Sequence, residues 1–244
     1  MAICYSRIGT NIELAANHYI VGYYLQIINP TPLHLDPEEL LQDIRQPKLE
    51  EEMLALLPTA KLLIEPKAVY TKMKVTSIEN DRIQLENGHA LSSVVLGDLL
   101  ERGQEILAYV VTVGSGLEEE AKQKNLLQSF LLDRIGNYAV YKACAYIKSH
   151  VASMLENIVS EFSPGSGTGE LFAIEQQEPL FRILNPKMSI GVSLSSSLMM
   201  IPRKSESDVF AATKEEYVSC EHCPRKCESR RAPYKGAYLY TRFG

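Results

Sequence analysis

The sequence predicts an α+β fold in which helices pack against an antiparallel sheet. Apolar and polar side chains alternate over residues 69–76, which is the two-residue period of a half-buried strand. The pairs Asn80-Asp81 and Asn87-Gly88 follow at hairpin spacing and predict two tight turns. Helical spacing of apolar residues flanks this strand-rich region on both sides, which favours an α+β arrangement.

Two helices are predicted before the sheet. The first begins at Pro37 and carries Leu40, Leu41 and Ile44 on one side. The second covers residues 49–57 and is expected to end at Pro58, because a proline inside a helix removes a hydrogen bond. After the hairpins, the apolar run at 106–113 indicates a strand covered on both faces.

A glycine-bearing turn, Gly114-Ser115-Gly116, connects that strand to the next helix. Ser115 and Glu118 have the spacing of a capping box, in which each side chain caps a backbone N–H of the first turn. Glutamates at 118–120 add negative charge there, which suits the helix dipole and would repel a bound phosphate. The turn therefore indicates a structural connection and not a phosphate-binding loop.

Two long helices are predicted after this turn, and an apolar stripe at spacings of three and four marks the second. The stripe consists of Cys144, Ile147, Val151, Leu155, Ile158 and Phe162. Cys144 is interpreted as a core residue because small buried cysteines are common on such stripes. The sequence then predicts a break at 163–167, an amphipathic stretch at 180–184 and a strand at 190–194.

The overall composition is that of an ordinary globular protein. The 244 residues are 45 % hydrophobic and 23 % charged, with a net charge of −5, which argues against a nucleic-acid-binding surface. No apolar stretch approaches the roughly 20 residues that cross a membrane, and no secretory leader opens the chain. We therefore expect a cytoplasmic protein with no nucleic-acid or membrane partner.

The C-terminal segment differs from this average. Residues 220–244 carry six basic and two acidic side chains, and they contain the closely spaced Cys220, Cys223 and Cys227. Thiolates at such spacing converge on one zinc ion or one iron–sulfur cluster, and reduced surface thiols are the alternative. With three cysteines, His222, a distant residue or an exogenous ligand must complete a zinc site. The serines at 193–197 lack a Gly-x-Ser-x-Gly elbow, so a hydrolase is not expected.

Residues 191–207 resemble the signature segment of the activation domain of cobalamin-dependent methionine synthase. In that family a strand ends in Leu-Thr-Glu-Ser and is followed by Met, Pro and two spaced serines. The positions in register here are Leu194, Ser197, Met200, Pro202, Ser205 and Ser207. Further similarities, spread over roughly residues 60 to 235, are Thr112-Val113-Gly114, residues 132–136, residues 176–184 and the cysteines followed by Arg230-Arg231.

The resemblance implies a twisted antiparallel sheet with flanking helices and a role in corrinoid chemistry. In the family this domain binds S-adenosylmethionine over the corrinoid. After cobalt(I) is oxidised to cobalt(II), an electron and the methyl group of that ligand restore methylcobalamin. The implied partner is a corrinoid protein or a cobalamin-dependent methyltransferase that carries the cobalamin. The resemblance also favours an iron–sulfur cluster slightly over zinc at the three cysteines.

The implied ligand-facing residues are Glu161, Pro164, Gly165, Ser166, Ser196, Met200 and Pro202. Three of them differ from the family. Glu161 stands where an arginine pairs with the ligand carboxylate, Ser166 replaces the tyrosine of a Gly-Tyr pair, and Ser196 replaces the glutamate of Leu-Thr-Glu-Ser. Because a misplaced buried charge pair costs several kcal/mol, we expect weak or absent adenosylmethionine binding.

Two functions remain open at this level. The first is a reactivase that supports remethylation of a partner's cobalamin, meeting it through residues 163–167, residues 198–205 and the basic tail. The second is a non-catalytic, metal-containing interaction module on the same fold. The chain is divided into an N-terminal helical segment at 1–60, an activation-domain-like core at 61–215 and a cysteine-rich basic tail at 216–244.

Overall fold

The central element of the protein is an antiparallel sheet built around one long strand. The computed structural model describes residues 18–20, 23–44, 47–152, 154–155, 158–167, 169–227, 230 and 232–239. In those ranges the strands are β1 (His18–Ile20), β2 (Tyr23–Ile28), β3 (Lys67–Glu79), β4 (Arg82–Leu85), β5 (Ala90–Ser92), β6 (Glu105–Thr112), β7 (Ile158–Phe162), β8 (Ser193–Leu194), β9 (Met200–Ile201) and β10 (Ser205–Thr213).

The sheet order within the described ranges is β1-β2-β3-β6-β10-β7, and β4 and β5 extend the far half of β3. All of these pairings are antiparallel. The short β8–β9 hairpin forms a separate two-stranded ribbon. The α+β class and the antiparallel sheet predicted from the sequence are therefore confirmed.

Helices cover both faces of the sheet. They are α1 (Pro37–Ile44), α2 (Glu50–Leu63), α3 (Val94–Leu99), α4 (Gly116–Ala121), α5 (Leu126–Ala152), α6 (Gln177–Leu184) and α7 (Pro186–Ser189). Side chains of α1, α2, α4 and α5 pack on the face that carries Tyr70, Tyr109 and Phe210. Side chains of α3 and α6 pack on the opposite face, with Val110 and Phe162. In the described part of the chain, no helix is long and apolar enough to cross a membrane.

The hairpin region agrees closely with the sequence. β3 alternates between buried and exposed side chains from Thr71 to Thr76, and Asn80 and Gly88 take the positive φ angles of the two predicted turns. β6 is buried on both faces from Ile106 onwards, as its apolar run predicted. The helix beginning at Pro37 is also confirmed.

Several local predictions were wrong, beginning with the helices. α2 continues through Pro58 to Leu63, because Met53, Leu57 and Ala60 are buried on both sides of the proline and this burial offsets the lost hydrogen bond. One helix, α5, replaces the two predicted long helices. Its apolar stripe ends before Ile158 and Phe162, which belong to β7.

The strand predicted at 190–194 is also shorter than expected. Only Ser193 and Leu194 form a strand, and Ile190 follows the short α7 helix. Ile190 and Val192 are buried nonetheless, because they pack into the core under α3 and α6. The apolar alternation at 190–194 therefore predicted the burial of Ile190 and Val192 correctly, but it predicted a longer strand than the structure contains. The proposed division of the chain at residues 60 and 215 stays a prediction.

Candidate functional site

Most of the ligand-facing positions predicted from the sequence lie at one end of the sheet. Strands β7 and β10 are antiparallel, and Phe162 at the end of β7 pairs with Val209 of β10. The loop at 163–167 therefore extends past the beginning of β10, where Ser205 pairs with Thr112 of β6. The segment at 198–205 leads into that same beginning of β10. The fold thus places Glu161–Ser166 and Met200–Pro202 at one end of two neighbouring strands.

The loop at 163–167 depends on its glycines. Gly165 has a φ of 80°, its N–H donates to the Phe172 carbonyl at 2.7 Å, and a Cβ there would lie 2.8 Å from Ile174 Cδ1. A side chain at this position would therefore meet both backbone strain and a steric clash. Pro164 is buried and Ser166 is half-buried. The loop is fixed against the 171–174 segment, and Gly165 is its exposed residue.

The β8–β9 hairpin carries Ser196 and Met200. Ser195 closes its turn, since its N–H donates to the Met199 carbonyl at 2.9 Å and its hydroxyl accepts from the Met199 N–H at 3.0 Å. Leu198 takes a positive φ of 62° in this turn. Ser196 is exposed, and Met199 and Ile201 are 58 % and 52 % exposed. The hairpin therefore offers a small apolar surface next to an exposed serine.

The segment after the hairpin is anchored to α4 and α5. Glu118 accepts hydrogen bonds from the N–H groups of Arg203 at 2.6 Å and Lys204 at 3.2 Å. The predicted capping box is wrong, because Ser115 makes no capping hydrogen bond. Glu118 instead accepts the two hydrogen bonds from the segment after the hairpin. Lys204 Nζ lies 2.6 Å from both Asp133 Oδ1 and Asn137 Oδ1 on α5.

Glu161 is part of a carboxyl cluster between the sheet and α5. Its Oε1 lies 2.9 Å from the hydroxyl of Tyr109, and that hydroxyl also contacts Asp208 Oδ2. Burial raises the pKa of Asp208 well above 3.8, the charges of Glu206 and Glu161 raise it further, and the hydroxyls of Ser163 and Tyr109 partly offset this. The predicted ligand position is therefore surrounded by acidic groups.

Cys144 extends this cluster from the helix side. It is buried, as predicted, and its thiol donates to Glu206 Oε2 at 3.2 Å. Burial, followed by the charge of Glu206, raises the pKa of this thiol well above its usual range. Burial, followed by the charge of Asp208, likewise raises the pKa of Tyr109. These shifts keep the thiol and the phenol neutral at physiological pH.

The cysteine segment lies on the other face of β7. Tyr217 stacks on Phe162 with ring centroids 5.1 Å apart, and its N–H donates to the Ser160 hydroxyl at 2.8 Å. Burial raises the pKa of Tyr217 to about 12, with smaller contributions from Cys220 and Cys223. A Cβ on Gly167 would lie 3.8 Å from the Cβ of Cys223. The candidate metal segment therefore lies next to the candidate ligand loop.

Arg230 holds the cysteine segment in its loop conformation. Its guanidinium donates to the carbonyls of Cys220 at 2.7 Å, Cys223 at 2.6 Å and Arg225 at 2.6 Å. Across the described ranges, no three His, Cys, Asp or Glu side chains are placed to hold one metal ion. Cys220, Cys223 and Cys227 therefore do not form a closed metal site as they stand. Cys4 and Arg231 lie outside the described residues.

Tyr109, Asp208 and Arg230 were not identified as site residues from the sequence. Tyr109 is hidden in an apolar run, and Arg230 looks like one of several basic tail residues. Asp208 gave the clearest signal, since an acidic residue followed by Val, Phe, Ala and Ala points to a carboxyl buried in a strand.

The sheet order, the two helical layers and the loop at the β7 end define an activation-domain-like α+β protein. Its fold is that of a crystal structure described as the MetH reactivation domain bound to AdoHcy, with a TM-score of 0.56, 14 % identity and 80 % of each chain covered. The resemblance seen in the sequence is confirmed for the fold. No family model and no curated protein matches this sequence.

Proposed function

We propose that this chain services a corrinoid carried by another protein, supporting its reductive reactivation and remethylation. The observation that carries this proposal is the fold, which matches a reactivation domain over 80 % of both chains. Such coverage means that the match extends well beyond one supersecondary motif. Because a fold alone does not define function, the site geometry must supply the remaining support.

The proposed docking face consists of residues 163–167, residues 198–205 and the basic tail. The first two lie at one end of β7 and β10, and Gly167 borders the cysteine segment. The loop offers closely approachable backbone, which suits a large planar macrocycle. Met199 and Ile201 add exposed and adaptable apolar surface beside it.

Binding of S-adenosylmethionine to this chain is proposed to be weak or absent. The comparison structure contains AdoHcy, which shares the amino-acid carboxylate of S-adenosylmethionine. Glu161 and Glu206 both act as negative charges on Asp208, so a ligand carboxylate placed at Glu161 would meet like charge. Like-charge contacts in a desolvated site cost several kcal/mol. The acidic surroundings of Glu161 strengthen the expectation drawn from the sequence.

A second candidate function, a metal-containing interaction module, is favoured by the cysteine segment itself. Arg230 organises a short loop that bears Cys220 and Cys223, and this loop lies next to Gly167 of the 163–167 loop. Because the three thiols do not meet at one point, binding of zinc or an iron–sulfur cluster requires residues 220–227 to rearrange. We therefore derive no electron-transfer step through such a centre.

Binding measurements with corrinoid proteins from the same organism test the docking proposal. Arg225 and Lys226 are exposed and are the residues to reverse, whereas Arg230 is engaged with backbone carbonyls. Arg225→Glu with Lys226→Glu should weaken association and its salt dependence, since screening acts over about 10 Å at 0.1 M salt. Lys48→Glu with Arg82→Glu, on other elements, is the control of equal charge. Absence of association at every salt concentration would refute the proposal.

A further inference from the structure

The hydroxyl of Tyr109 lies between two carboxyl groups but has one proton to donate. It is 2.9 Å from Glu161 Oε1 and also in hydrogen-bond contact with Asp208 Oδ2. If both carboxyls were ionised, one of these contacts would be a repulsion between two oxygen lone pairs. A single additional proton on one carboxyl turns both contacts into hydrogen bonds.

The surroundings decide which carboxyl keeps that proton. Asp208 is fully buried, whereas Glu161 is half-buried on the edge strand β7. Asp208 Oδ1 has no hydrogen-bond partner of normal geometry among the described residues. The ion pairs found in those residues do not include Glu161 or Asp208. An ionised Asp208 would therefore be a buried charge with no ion-pair partner and only hydroxyl contacts to Ser163 and Tyr109, which is unfavourable.

We propose that Asp208 is a proton-binding site: at neutral pH it is protonated and donates to Tyr109 Oη, while Tyr109 donates to Glu161 Oε1. When Asp208 gains or loses this proton, the proton is exchanged with solvent and no other group is transferred. The proposal does not depend on the corrinoid function or on any ligand. Burial, with the charges of Glu206 and Glu161, raises the pKa of Asp208 in agreement with this assignment.

Two other ionisable groups face this site, and neither is basic. Glu206 approaches from β10 and opposes a negative charge on Asp208, whereas the Cys144 thiol on α5 stays neutral and adds no charge. Ser163, the first residue of the 163–167 loop, lies beside the same carboxyl and is not ionisable. Proton release at high pH would thus place repulsion directly where β7 enters the loop of the proposed docking face.

The sign of the pH dependence follows from the raised pKa of Asp208. The folded state holds a proton that the unfolded chain releases near 3.8, so folding is favoured by this proton at low pH. This contribution is lost progressively as pH rises from 3.8 to the raised value. The unfolding equilibrium constant should increase by up to about tenfold per pH unit in that window because one proton is involved.

The direct test is a pH titration of the full chain labelled with ¹³C at the aspartate carboxyls. We expect one aspartate signal, lost in Asp208→Asn, to remain that of a protonated carboxyl at pH 7. Tyr109→Phe should move its midpoint downwards, because it removes the hydroxyl that accepts the proposed hydrogen bond from protonated Asp208. An ionised Asp208 at pH 7 would overturn the proposal, and this readout does not require any variant to be stable.

Denaturation as a function of pH provides the second test. Asp208→Asn should remove the decline in stability contributed by this site, because the neutral amide resembles the protonated acid. Asp81→Asn, at an exposed turn, should keep the slope of the wild-type protein. Equal pH slopes for Asp208→Asn and the wild-type protein would also overturn the proposal.

Discussion

Replacement of Lys204 by methionine tests the anchor that holds the 198–205 segment on α5. The Lys204 side chain is 9 % exposed, and its Nζ contacts Asp133 and Asn137 at 2.6 Å. Its aliphatic part crosses Gly136, where a Cβ would lie 3.0 Å from Lys204 Cε. Methionine keeps most of this apolar contact and removes the ammonium. The change therefore isolates the two polar contacts.

The expected loss is about 1–2 kcal/mol in the free energy of unfolding. Hydrogen bonds to charged groups contribute about 1.5–3 kcal/mol, whereas exposed ion pairs contribute less than about 1 kcal/mol. Asp133 is 43 % exposed, which places this anchor between the two cases. For a chain of this size, the melting temperature should fall by about 2–8 °C.

Urea denaturation followed by circular dichroism measures this loss, since the chain has no tryptophan. The midpoint should fall while the denaturant slope stays constant. Lys214→Met is the matched control, because Lys214 is 94 % exposed and lies 3.6 Å from Glu101. Lys214→Met should change the free energy of unfolding by less than about 0.5 kcal/mol. If the two variants are equally stable, the inferred anchor does not stabilise the segment.

Two further predictions concern metal binding by the three cysteines and the binding of adenosylmethionine. Replacing Cys220, Cys223 and Cys227 together by serine should abolish stoichiometric metal in anaerobically purified protein, measured by elemental analysis and absorption spectroscopy; full retention would exclude these cysteines as ligands. Calorimetry should show adenosylmethionine binding to the wild-type protein weaker than micromolar, which corresponds to about −8 kcal/mol. Glu161→Arg should strengthen this binding, whereas Glu161→Gln should have a smaller effect; tight wild-type binding would contradict the role assigned to Glu161.

The sequence predicted those parts of the fold that local rules govern. Alternation defined β3, turn residues defined Asn80 and Gly88, and the apolar run defined β6, because each signal is complete within a few residues. The helix-like stripe failed after Ala152 for a different reason. Phe162 continues the spacing of α5 but is buried on the opposite face of the sheet, which only the tertiary fold determines.

The candidate site shows the same division between local and long-range information. The 163–167 loop is marked in the sequence by its proline and glycines, and Glu161 was identified through a family resemblance. The residues around Glu161 were not identified from the sequence, since Tyr109 and Asp208 are separated from it by 52 and 47 positions along the chain. Such pairings depend on which strands become neighbours, and no local pattern encodes that order.

The short edge strand β7 connects the two halves of the proposed site. Successive side chains of a strand point to opposite faces, so Glu161 faces the carboxyl cluster under α5 and Phe162 stacks on Tyr217 beside the cysteine segment. The loop that follows contacts both sides, through Ser163 near Asp208 and Gly167 near Cys223. The acidic cluster and Cys223 therefore lie on opposite faces of β7, each next to the loop at 163–167. We therefore expect protonation of Asp208 and changes in the cysteine segment to act on the proposed docking face through β7.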